Sequence, residues 1–156
     1  MMKKTFYIIV FLLLLYSCGK MDSSIEGTWG LTHSEGYRMM NGIKTDVELV
    51  DCDPYHPATA NDSKFSIFNS SGDTYVFTFS YWNPKNERWN TNPETESFTR
   101  VDQVFRYAGE GEDFYYTILS LTSDSLVIEY MNPIQNHLNE NIGYLYSKGT
   151  FVRLLD

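Results

Sequence analysis

From Ile25 onward, apolar and polar residues alternate with a period of two over one segment after another, the pattern of strands that bury a single face. Ile25 to His33 places Ile25, Gly27, Trp29 and Leu31 on one side and Glu26, Thr28 and Thr32 on the other. Tyr37 to Met40, the dipeptide Asn41-Gly42 and Ile43 to Val50 form the strongest hairpin signal, because Asn-Gly supplies the positive φ angles of a type I′ turn. In its second arm the alternation predicts Ile43, Val47 and Leu49 inward, with Lys44, Asp46 and Glu48 outward. Asp51 to Ser63 reads as a polar loop with two prolines, Lys64 to Phe68 as a short strand, and Ser70 to Asp73 as a turn. Tyr75, Phe77, Phe79 and Tyr81 then alternate with Val76, Thr78 and Ser80, giving the most aromatic face of the chain.

Trp82 to Ser97 is rich in Asn, Pro and Thr and reads as a long connection. Phe98 to Ala108 resumes as one strand, with Val101, Phe105 and Tyr107 opposite Arg100, Asp102 and Arg106. Phe114 to Leu121 and Leu126 to Met131 make a hairpin around Thr122 to Ser125, Asn132 to Asn141 is a loop, and Gly143 to Leu154 is the last strand. About eight to nine antiparallel strands in sequence, with no helical period, predict an all-β, single up-and-down barrel, since closure removes exposed sheet edges. A barrel of about eight strands is either filled by side chains or holds one small ligand.

The segment ahead of this pattern has a different character. Lys3 and Lys4 precede an unbroken apolar run, Phe6 to Tyr16, the layout of a signal peptide and too short to span a bilayer as a helix, which takes about 20 residues. The expected organisation is therefore a leader over 1–17, a short polar tether over 18–24 and one barrel domain over 25–156. Removal of the leader takes the two lysines with it and leaves 10 basic against 20 acidic side chains. So acidic a surface repels phosphates, which argues against nucleic acid and against docking on membranes through a basic patch.

Leu15-Tyr16-Ser17-Cys18 resembles the lipobox of bacterial lipoproteins, in which the cysteine is diacylated and becomes the new N-terminus. The resemblance implies membrane attachment through acyl chains on Cys18, and two chains at roughly 0.8 kcal/mol per buried methylene suffice for stable anchoring. Cys52 is then left without a disulfide partner. Gly27-Thr28-Trp29 in the first strand and Gly149-Thr150-Phe151-Val152-Arg153 in the last, with Ile118 to Leu126 between them, resemble the lipocalin-like (calycin) lipoproteins of Bacteroidetes. That resemblance implies a cell-envelope protein at the outer membrane, and a structural pair at the barrel base in which Arg153 covers Trp29. A guanidinium over an indole contributes roughly 0.5 to 2 kcal/mol as it is desolvated.

Candidate chemistry is sparse. Asp51-Cys52-Asp53 with His56 mixes metal-ligand types, and His33 and His137 are the other histidines, but the spacing matches no recurring zinc pattern. Neither a nucleophile with its base nor a carboxylate pair outside the acidic turn Glu110 to Asp113 is evident, so no catalytic residue, metal or cofactor is assigned. The inward residues Tyr75, Phe77, Phe79, Tyr81, Phe105, Tyr116, Ile118 and Tyr130 are either packed core or the wall of a pocket for a small apolar or amphipathic ligand. Trp82 and Trp89 are candidates for contact with an envelope protein or a glycan, should the barrel be solid and act through its loops.

Overall fold

The computed structural model describes residues 24–109, 114–136 and 140–155. Among the described residues there are ten strands: β1 (Gly27–Met40), β2 (Ile43–Asp51), β3 (Ser63–Ser71), β4 (Thr74–Asn83), β5 (Arg88–Thr91), β6 (Glu96–Val101), β7 (Val104–Tyr107), β8 (Tyr115–Leu121), β9 (Ser125–Gln135) and β10 (Asn141–Leu154). All pairings are antiparallel, and β10 returns to pair with β1 from Thr28↔Leu154 to Met40↔Gly143, which closes an eight-stranded barrel.

The two extra strands occupy positions already counted in that barrel. The lower half of β1 pairs with β3, Gly27↔Ile67 to Gly30↔Lys64, while its upper half pairs with β2, His33↔Asp51 to Met40↔Ile43. β2 and β3 therefore share one place beside β1, separated by the excursion 52–62. In the same way β4 is flanked on one side by β5 above, Trp82↔Trp89, and by β6 below, Tyr75↔Phe98. Asn92 to Thr95 interrupts that position, where Pro93 brings no N–H to a ladder. An up-and-down meander of eight places results, with two of them broken.

Several expectations need correction. Trp82 to Ser97 is not a single connection, because β4 runs through Asn83 and folds back as β5. Phe98 to Ala108 is two strands, hinged at Asp102, whose φ of 54° makes the turn, and Val101 is exposed beside it rather than inward. Asn132 to Gln135 belong to the end of β9 and Asn141 to the start of β10. Asn41 and Gly42 form the turn with φ of 50° and 77°. The arm after it carries a bulge at Asp46 (φ 50°), where the register shifts between Gly36↔Glu48 and Arg38↔Thr45. An extra residue reverses the alternation, and β2 stands clear of the core, so Ile43, Val47 and Leu49 are 64%, 59% and 68% exposed instead of buried.

The core is continuous through the lower barrel. Ile25, Trp29, Phe65, Ile67, Phe77, Phe98, Phe105, Ile118, Leu126, Ile128 and Phe151 are buried together. Its centre is aromatic, with Phe77 4.6 Å from Phe98, 5.1 Å from Phe105 and 5.7 Å from Phe65, ring centroid to centroid.

Candidate functional site

The barrel floor is built from the two ends of the barrel chain. Trp29 faces inward, fully buried, and its Nε1 donates to Ile25 O at 2.8 Å. β10 is registered so that Arg153 is opposite Trp29, and the guanidinium carbon lies 4.2 Å from the indole centroid. The same guanidinium donates from Nε to Ser123 O at 2.5 Å, from Nη1 to Glu26 O at 2.6 Å and from Nη2 to Ser24 O at 2.5 Å. Gly27, at φ 133°, leaves room for it, since a Cβ there would meet Nη1. Three carbonyls from two segments are thereby satisfied by one planar donor set.

Above this floor the interior is packed. Tyr75 meets Phe105 edge to face at 5.3 Å, and Phe105 and Ile118 are buried in the core. No space large enough for water separates Ile25, Phe65, Ile67, Phe105, Leu126 and Ile128. Of the residues open to either reading, Tyr75, Phe105 and Ile118 fall in the packed half, Phe105 and Ile118 within the buried core and Tyr75 packed against it.

Higher up the barrel opens into a chamber of about 310 Å³. Phe77 and Phe79 of β4, Tyr116 of β8 and Tyr130 of β9 line it, with Tyr81 half-exposed at its rim. The rest of the wall was not anticipated: Leu31, Phe65, Ile128 and Phe151 add apolar surface, and Ser34, Ser63, Ser80 and Ser147 add hydroxyls. Alternation alone could have found Phe65, Ile128 and Phe151, but small inward serines resemble turn residues in a sequence. Burial pushes the Tyr116 hydroxyl far above its ordinary value, with the Glu96 carboxylate and Tyr130 adding to it, so it remains a neutral donor at any physiological pH.

A second space of about 460 Å³ sits over the chamber, lined by Arg38, Asp46, Glu48 and Val50 and bordered by Tyr37 and Tyr146, which pair across β1 and β10 with their rings stacked on the face away from Arg38. Ser34, Tyr130 and Ser147 border both spaces and form the neck between them. The bulge at Asp46 creates this arrangement, since it turns Glu48 and Val50 toward the opening and Leu49 away from it. Burial pushes the Tyr146 hydroxyl up, as does the nearby Glu129 carboxylate, to which it donates at 3.4 Å.

The remaining candidates divide. Trp82 and Trp89 face each other across β4 and β5, centroids 5.5 Å apart, and the Lys64 ammonium lies 4.7 Å over the Trp89 ring. Both are half-buried, so they brace this ribbon instead of standing free in a loop. Asp51 holds His33 at 2.7 Å and Asp53 holds His56 at 3.1 Å as two separate pairs. No group of three or more His, Cys, Asp or Glu side chains placed for a metal occurs among the described residues. Burial pushes the Cys52 thiol up, and the carboxylates of Asp62 and Asp51 add to it, the reverse of what a thiolate nucleophile needs. Cys18, the leader, His137 and the acidic turn Glu110 to Asp113 lie outside the described residues.

No family model matches the sequence, and no curated protein matches it. Solved structures do. The chain is similar to a siderocalin described as acting through dual ligand specificities, with 13% identity and a TM-score of 0.50 over 83% of this chain and 70% of that one. It is also similar to bovine odorant binding protein complexed with its natural ligand, with 17% identity and a TM-score of 0.49 over 89% of this chain and 77% of that one. At such identity the likeness to the siderocalin speaks to fold alone: a closed antiparallel barrel of the lipocalin type.

Proposed function

We propose that this chain is a lipid-anchored envelope protein whose barrel binds one small apolar or amphipathic molecule without transforming it. One observation carries the binding reading: a chamber of about 310 Å³, walled by Phe65, Phe77, Phe79 and Phe151, above a fully packed floor. Its size is at the lower end of the roughly 300–1,000 Å³ of small-molecule pockets, and its few hydroxyls are the sort that orient a ligand in an otherwise apolar wall. A barrel acting only through its loops has no need of such a space. The fold does not by itself assign a ligand, so the chamber alone supports binding.

The test is saturable uptake. Purified chain should take up the neutral apolar dye N-phenyl-1-naphthylamine with one-to-one stoichiometry and a rise in emission; absence of a saturable phase overturns the pocket. Anchoring rests on the apolar run ahead of Cys18 and on the lipobox-like residues before it. Mass spectrometry of the membrane-extracted protein should find an acylated Cys18 at its N-terminus, and recovery of an unmodified chain starting at Met1 would remove that half of the proposal.

A further inference from the structure

The chamber and the space above it form one two-part cavity, because Ser34, Tyr130 and Ser147 line both. The lower part is walled mainly by aromatic and aliphatic side chains with a few serine hydroxyls, and is bordered by Lys64 and by Glu129, which accepts from the Tyr146 hydroxyl, whereas the upper part carries Arg38, Asp46 and Glu48. Among the described residues Arg38 is its one cation, and it is engaged by Asp46, Nε to Oδ2 at 3.6 Å. Glu48 is the second carboxylate, and no cation pairs with it among the described residues. Lys44, opposite Met39 in the register and so turned to the other face of the ribbon, lies 4.0 Å over the Tyr37 ring. Lys148 is held by Glu35 at 2.9 Å, and Lys64, at the rim of the chamber, is drawn over Trp89. Each of these cations thus has an internal partner, and the vestibule keeps one carboxylate in excess.

We infer that the occupant is a small amphiphile with a cationic ammonium end, its apolar part in the chamber and its ammonium in the vestibule beside Glu48. An ammonium gains the Glu48 carboxylate and the field of a chain with formal charge −8. A carboxylate at the same place would face Glu48 and Asp46 with only the already engaged Arg38 to meet it. Size agrees with polarity, since a chamber of about 310 Å³ takes an apolar group of at most a few rings or a short chain and leaves the polar end at the neck. The inference rests on the pocket reading above and narrows it to one ligand class.

Titration calorimetry on the purified full chain with hexylamine, hexanol and hexanoate at matched, low ionic strength tests it, with six carbons chosen so that partition into residual lipid stays small. Hexylamine should bind about three- to tenfold more tightly than hexanol, and hexanoate more weakly than either. The preference should shrink with added salt, because the carboxylate is exposed. Glu48→Gln should reduce the hexylamine-to-hexanol ratio to less than twofold. If hexanol binds and hexanoate equals or exceeds hexylamine, the charge preference is wrong while the pocket stands. A hexylamine preference that survives intact in Glu48→Gln overturns the charge preference in the same way. If none of the three binds and the neutral dye also fails, the pocket reading falls and the inference with it.

Discussion

Arg153 ties the two ends of the barrel chain together, and its energetics follow from its donors. Three charge-assisted hydrogen bonds to the carbonyls of Ser24, Glu26 and Ser123, with the stacking on Trp29, all depend on one planar group. Arg153→Ala removes them together and leaves strand-end carbonyls short of donors, so a loss of about 2–4 kcal/mol is expected in urea unfolding. Arg153→Lys should recover less than half, since an ammonium cannot reproduce the fork; a loss under about 1 kcal/mol for the alanine variant would show that the floor is held otherwise. Asp62 has the same role in the excursion 52–62. Its buried carboxylate accepts the backbone N–H groups of Asp53, Ala58 and Thr59 and the Thr59 hydroxyl. Burial works to raise its pKa, but these donors outweigh it and hold the carboxyl below its ordinary value. A folded pKa below the unfolded one means that the unfolded chain binds the proton more readily. The stabilisation is therefore complete above the unfolded value of about 3.9 and is lost as pH falls through the folded one. Urea midpoints of the wild type and Asp62→Asn should differ at pH 7 and converge as the pH falls below about 4, and a gap that stays constant would exclude this account.

At the scale of elements, the chain departs from plain alternation wherever a strand leaves the closed part of the barrel. Asn41-Gly42 was legible because a left-handed turn requires particular side chains. Asp102-Gln103 was not, since an aspartate can take φ of 54° without the glycine that would have announced it. The bulge at Asp46 was equally silent, and one unseen residue reversed the assigned faces of Val47, Glu48 and Leu49. For the site, the aromatic wall from Phe77 to Tyr81 was readable from its period of two, whereas the level at which the core stops and the chamber starts depends on ring packing among distant strands. The β4–β5 ribbon illustrates the cost of reading composition alone. Asn, Pro and Lys around residues 83–86 suggest a loop, yet they supply only its tight turn, in which Asn83 Oδ1 accepts the Lys85 N–H at 3.0 Å. Trp82 and Trp89 close the ribbon by an edge-to-face contact. A double-mutant cycle of Trp82→Ala and Trp89→Ala should give a coupling of about 0.5–1.5 kcal/mol in stability; additive losses would mean that the rings act separately and are available to a partner.

Across the whole molecule, stability and binding are assigned to different halves of one barrel, and this separation can be measured. The lower half is closed by Trp29 and Arg153 and filled through Phe77, Phe98 and Phe105, so removal of side-chain volume there leaves a void with nothing to fill it. Ile118→Ala in that half should cost about 2–4 kcal/mol and leave dye uptake by the upper chamber within about twofold of wild type. The neck is the opposite case. Ser147 borders both spaces, with room on either side, so an indole placed there fills existing volume instead of displacing core atoms. Ser147→Trp should abolish uptake of the neutral dye with little change in melting temperature. Ser34→Phe, entering from β1 on another side of the same neck, provides an independent block should the first variant fold poorly. If both variants fold and still take up dye at wild-type affinity, the dye reaches its site by some other way and the two spaces do not act as one cavity. If Ile118→Ala weakens uptake as strongly as it weakens the fold, the two halves are not independent, and the chamber owes its shape to a core that yields when any part of it is removed.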